Sequence, residues 1–89
     1  RIKMDAITER LRKLVEYTCR EVIDDDHELT VEAIGGAENL LFEVHCDPGD
    51  IGLVIGRNGK NIEAIRTIVR SACRGAMLRT SVEVVHSRR

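Results

Sequence analysis

Between Asp5 and Val22, apolar or small residues recur with helical spacing at Ile7, Leu11, Leu14, Val15, Thr18 and Val22, while Arg10, Arg12, Lys13, Glu16 and Arg20 fill the rest of the wheel. The spacing predicts a surface helix docked by one face. Asp24-Asp25-Asp26 ends it, because three poor helix formers of one charge cannot extend the pattern. From Glu28 to Ala33 polar and apolar positions alternate, Gly35-Gly36 interrupts, and Leu40 to His45 resumes as a β-rich run, so these segments predict a hairpin. Its loop, Gly35 to Asn39, is longer than a two-residue turn and is free to contact a ligand. Asp47-Pro48-Gly49-Asp50 reads as a turn, with Asp50 expected to cap a short helix Ile51 to Ile55. A second long amphipathic helix follows, marked by Ile62, Ile65, Ile68, Val69, Ala72, Cys73 and Ala76 and ending near Met77. Ile65 and Ile68 are expected in the core. Ser81 to Val85 has the pattern of a strand. The order αββααβ makes this an α+β chain, with the last strand parallel to the one before it by the right-handed crossover rule. A three-stranded mixed sheet carrying its helices on one face is the expected architecture.

The apolar helical pattern of Ile51-Gly52-Leu53-Val54-Ile55 breaks at Gly56-Arg57-Asn58-Gly59 and resumes in the same register at Lys60-Asn61-Ile62. Two glycines around a basic and a small polar residue permit a sharp turn, and the helix that follows presents free N–H groups, so the turn suits a phosphate. Rival glycine fingerprints fail. A Walker A loop needs Gly at Val54 and Ser or Thr at Asn61, and the dinucleotide pattern needs Gly at Val54 and a strand before the turn. Only the bare GXXG pattern survives.

Composition fits a folded chain: 89 residues, 43% hydrophobic and 33% charged, with no apolar run beyond three residues and so nothing to span a bilayer. Arg1 cannot be an initiator and Met4 can, so Arg1, Ile2 and Lys3 are expected to be a remnant at the edge of a single domain. Net charge is −1, but residues 1–50 carry 6 Lys/Arg against 13 Asp/Glu and residues 51–89 carry 8 against 2, giving −7 and +6. The glycine turn lies in the basic half, which can face a polyanion or pair head to tail with another copy. Cys19, Cys46 and Cys73 form neither a disulfide framework nor a CxxC metal pair and indicate a reducing cytoplasm. The triple Asp lacks the Gly and distal Glu of a calcium loop. No metal or cofactor is expected. The scattered histidines have no nucleophile and orienting group beside them, so no enzyme is expected either.

Ile55-Gly56-Arg57-Asn58-Gly59-Lys60-Asn61-Ile62, set in αββααβ order, resembles a type II KH domain. With Pro48, Asp50 to Ile55 and Ala64 to Val69 added, the chain is similar to the small stand-alone bacterial KH proteins of the KhpA type. The resemblance covers nearly the whole chain and is strongest over residues 44–72. It implies that the turn clamps about four backbone nucleotides of a single strand. Gly56 and Gly59 would allow close approach, Arg57 and Lys60 supply charge, and Asn58 hydrogen-bond phosphate or sugar. Bases would lie along an apolar groove of Ile51, Ile55 and Ile62 edged by the hairpin, with Arg66 or Arg70 as a further phosphate contact. It also implies self-assembly into a homodimer and a larger RNA-binding partner, KhpB of the Jag/EloR family.

Tyr17 and Phe42 are the only aromatics, which removes the stacking platforms of RRM and OB domains and predicts weak, broad binding. The leading expectation is therefore a cytoplasmic, non-catalytic module for single-stranded RNA, acting as an RNA chaperone or post-transcriptional regulator. Two alternatives stay open. The turn could serve a protein interface, or the helix from Lys60 could enter a DNA major groove as in a helix-turn-helix reader. For Arg66, Arg70 and Arg74 the competing expectation is a solvated helix face pairing with the acidic half.

Overall fold

A computed structural model describes residues 6–36, 38–73 and 78–86. The elements are α1 (Ala6–Arg20), β1 (Leu29–Gly35), β2 (Asn39–Cys46), α2 (Pro48–Ile55), α3 (Lys60–Ala72) and β3 (Arg79–His86). β2 is central, pairing antiparallel with β1 and parallel with β3. The expected order and the parallel last strand are both present. Arg74, Ala76 and the helix end near Met77 lie outside the described residues, as do the first five residues and the tail Ser87 to Arg89.

Period-two alternation decides which sheet face is covered. Leu29 and Val31, then Leu40, Phe42, Val44 and Cys46, then Val82 are buried beneath the helices. Leu11, Val15 and Cys19 of α1, Val54 of α2, and Ile62, Ile65 and Val69 of α3 close the core from above. Phe42, the largest of these side chains, is fully buried at its centre. The thiols are small core fillers. Burial, with the Cys46 thiol nearby, pushes Cys19 up to about 12, so it stays neutral and unreactive at physiological pH.

The described residues leave the opposite sheet face uncovered, and register lines up Glu32, Glu43 and Glu83 across all three strands. Like charges directly opposite one another cost stability. His45 relieves part of this, its Nε2 lying 3.1 Å from Glu43 and 3.5 Å from Glu32.

Two expectations need correction. Ile68 is 42% exposed rather than in the core. At 3.6 residues per turn it falls about 100° from the centre of the stripe formed by Ile62, Ile65 and Val69, at the solvent edge. Asp50 does not cap α2. The helix begins earlier, at Pro48, which suits a first-turn position, and Asp47 occupies the N-cap without a side-chain bond. One turn further along, Asp50 is carried inward and is only 4% exposed.

Candidate functional site

Three residues with positive φ build the connection between α2 and α3. Gly56 (φ 82°, ψ 166°) leaves α2, and Asn58 (φ 55°, ψ 27°) and Gly59 (φ 76°, ψ 14°) turn the chain into α3. The Gly56 N–H donates to the Gly52 carbonyl at 2.8 Å, and the Gly59 N–H donates to the Gly56 carbonyl at 3.0 Å. A Cβ at Gly56 would stand 2.7 Å from Asn61 Cγ and 2.8 Å from the Asn61 backbone nitrogen. Glycine is therefore required there by both space and backbone. At Gly59 a Cβ would meet open space, so only the left-handed conformation favours glycine.

Two roles in this turn were not anticipated. Asn58 holds a left-handed backbone, the region that Asn tolerates best among non-glycine residues. The Asn-Gly dipeptide was the available signal. Asn61 Nδ2 donates to the Leu53 carbonyl at 2.8 Å, stapling the end of α2 to the start of α3. It satisfies one of the orphan carbonyls at the end of α2, a partnership that depends on the angle between the two helices.

Arg57, Asn58 and Lys60 are exposed on this turn. Among the described residues, no carboxylate is paired with Arg57 or Lys60. Gly59 is the N-cap of α3 and offers no side-chain cap, which leaves the first-turn N–H donors without a side-chain acceptor. Beside the turn runs a groove of about 300 Å³ lined by Ile55, Ile62, Arg66, Glu83 and Val84. Three of the expected groove and phosphate residues, Ile55, Ile62 and Arg66, thus share one wall. Ile51 is half-buried against the core and does not line this groove. The far wall is β3, not the hairpin, because strand order β1-β2-β3 puts β3 at the sheet edge beside α2 and α3. Glu83 and Val84 were missed for that reason: the pairing of distant strands decides which edge meets the helices.

Arg66 is already engaged. Its Nε and Nη2 donate to the Val82 carbonyl at 3.2 and 2.8 Å, and its Nη1 donates to Glu63 at 2.6 Å. The ion partner comes from its own helix rather than from the acidic half. Arg70 is exposed and, among the described residues, makes a 3.4 Å contact to Thr67 Oγ1. Arg74 lies outside the described residues.

The start of α2 is held from the other side of the molecule. Arg20 Nη1 donates to the carbonyls of Asp24, Asp25 and His27 at 3.2, 3.2 and 2.7 Å, folding the acidic run into a compact loop. That loop delivers His27, whose Nδ1 lies 2.9 Å from the buried Asp50 carboxylate. The hydrogen bond to Asp50 and its charge, with Asp24 and Asp26 adding, raise His27 above its usual 6.5.

The model of the KhpA/KhpB KH domain matches residues 12–84. The RNA-binding protein KhpA of Clostridium perfringens is 31% identical over 84% of this chain and 100% of its own length. That of Aquifex aeolicus is 32% identical over 84% of this chain and 95% of its own. That of Chlamydia trachomatis is 27% identical over 88% of this chain and 100% of its own. No solved structure gives a significant match. A family match that runs from α1 into β3, carried by relatives aligned over almost their entire length, means that the chain belongs to the KhpA/KhpB KH-domain family.

Proposed function

We propose that this protein is a non-catalytic binder of short single-stranded RNA, held by backbone in the Gly56–Gly59 turn and by bases along the neighbouring groove. The single observation that carries this reading is the turn itself. Three positive-φ residues hold Arg57, Asn58 and Lys60 in solvent at the uncapped start of α3, directly beside an apolar wall of Ile55 and Ile62. A phosphate placed there meets backbone donors and two unpaired cations. Ile51 supports that wall from behind rather than touching the ligand. The relatives carrying the KhpA name are RNA-binding proteins, which supports the same ligand class here. Cytoplasmic action as an RNA chaperone or post-transcriptional regulator fits this reading; among the described residues no helix is long and apolar enough to cross a membrane. A homodimer or a KhpB-type partner would add the specificity that a four-nucleotide footprint lacks.

The test is fluorescence anisotropy of a short labelled single-stranded RNA, with duplex DNA as competitor, comparing wild type and the double variant Arg57→Asp, Asn58→Asp. Both positions are exposed, and Asp tolerates the left-handed backbone at position 58, so folding should survive. Placing two negative charges in the phosphate path should weaken binding about 100-fold, since like-charge juxtaposition costs several kcal/mol. A folded double variant that binds like wild type would remove the clamp. Preference for duplex DNA would instead favour the helix-turn-helix alternative.

A further inference from the structure

Arg66 projects from α3 toward the outer edge of β3. Among the described residues β3 pairs only with β2, so the Val82 carbonyl that Arg66 contacts points away from the sheet, into the gap between helix and strand. Both Nε and Nη2 converge on that one oxygen, at 3.2 and 2.8 Å, while Nη1 is anchored by Glu63 at 2.6 Å. Each guanidinium nitrogen thus donates once, three of the five N–H donors being engaged, in a fork that ties α3 to β3. Ile62, one turn earlier on α3, and Val84, two residues further along β3, line the groove between them. The charge balance at this point is also unsuited to an anion. Glu63 already balances the charge of Arg66 through a 2.6 Å ion pair, so a phosphate here would meet a neutralised cation beside a carboxylate.

We infer that Arg66 is a positioning residue that sets the width of the base-binding groove by bracing α3 against the free edge of β3, and is not a phosphate ligand. The inference rests on the RNA-binding reading above and specifies its division of labour. Phosphates are held at Arg57 and Lys60, and the Arg66 end of the groove takes an uncharged base. Arginine is needed because its planar fork can place two N–H groups on one carbonyl and a third on Glu63; a lysine ammonium is a mobile point charge.

The two roles separate in salt-dependent RNA binding. Arg66→Lys and Arg66→Met are compared with wild type across a series of salt concentrations, at a temperature where thermal melts show all proteins folded. A brace predicts that both variants lose affinity about tenfold, the loss expected when charged hydrogen bonds are broken. The slope of log K against log salt should be unchanged in both, because the phosphate contacts remain. A phosphate ligand predicts the reverse: Lys binds like arginine, while Met flattens the slope by about 0.7. That result, or wild-type affinity in both variants, overturns the inference. A purely structural role would lower the melting temperature and leave the affinity of the folded protein untouched, which also overturns it. The Arg57→Asp, Asn58→Asp variant is run alongside. If it binds like wild type, the RNA-clamp reading falls and takes this inference with it; if it loses binding while Arg66→Lys does not, the bracing role alone fails.

Discussion

At the scale of single residues, the two glycines of the turn look equivalent in sequence and are not. Both have positive φ, but only at Gly56 would a side chain collide with Asn61, one of the contacts being backbone. Gly59→Ala should cost about 1–2 kcal/mol, the strain of a left-handed L-residue. Gly56→Ala carries that strain plus a clash and should cost clearly more, with local rearrangement at Asn61. Chemical denaturation of the two variants measures the difference; equal losses would mean that the Asn61 contact yields freely. Legibility at this scale was uneven. The pair of glycines marked the turn, and Arg57, Asn58 and Lys60 were readable as exposed chemistry because a turn leaves them nowhere else to point. The tethers made by Asn61 to Leu53 and Arg66 to Val82 were not readable, since each is a side chain finding a carbonyl whose direction is set only after two elements have docked.

At the scale of elements, α2 is the piece that needs support. It has 8 residues, too short to be stable alone, and it carries the glycine turn at its end. Its buried Asp50 has His27 as partner, delivered by the loop that Arg20 organises. The sign of the resulting pH dependence follows from the raised His27 pKa. Protonated His27 is favoured in the folded state, so the stabilisation is complete below about pH 6.5, the unfolded value, and is lost as pH rises through the higher folded value. The melting-temperature deficit of His27→Gln should therefore be larger at about pH 5.5 than at about pH 8.5. A deficit that is flat or grows with pH would show that the charged pair contributes nothing. Periodicity located α2 but shifted its start and gave Asp50 the wrong task, because a helix one turn longer rotates that side chain from the terminus to the interior. The same geometry moved Ile68 from expected core to solvent: spacing identifies an apolar stripe, and the width of the partner surface decides where the stripe ends.

At the scale of the whole molecule, charge is arranged by face. The open side of the sheet carries the Glu32, Glu43 and Glu83 row, while Arg57, Lys60 and Arg70 are exposed on and after the turn. A polyanion is thereby repelled from one surface and drawn to another although net charge is only −1. With Arg57 and Lys60 as the phosphate contacts, log K for a short single-stranded RNA should fall against log salt with a slope of about −1.4, each contact contributing about −0.7. A titration series in salt checks this, and a slope near zero would mean that binding does not run through phosphate. By itself the sequence determined the element order, the parallel last strand, the buried strand face and the glycine turn, because these depend on local spacing, backbone preference and chain connectivity. Only the tertiary structure decided that β3 and not the hairpin walls the groove, that Arg66 reaches the Val82 carbonyl, and that Asp50 lies inside with His27. Each of those depends on which distant surfaces meet, and a burial pattern along one chain specifies that a face is covered without specifying what covers it.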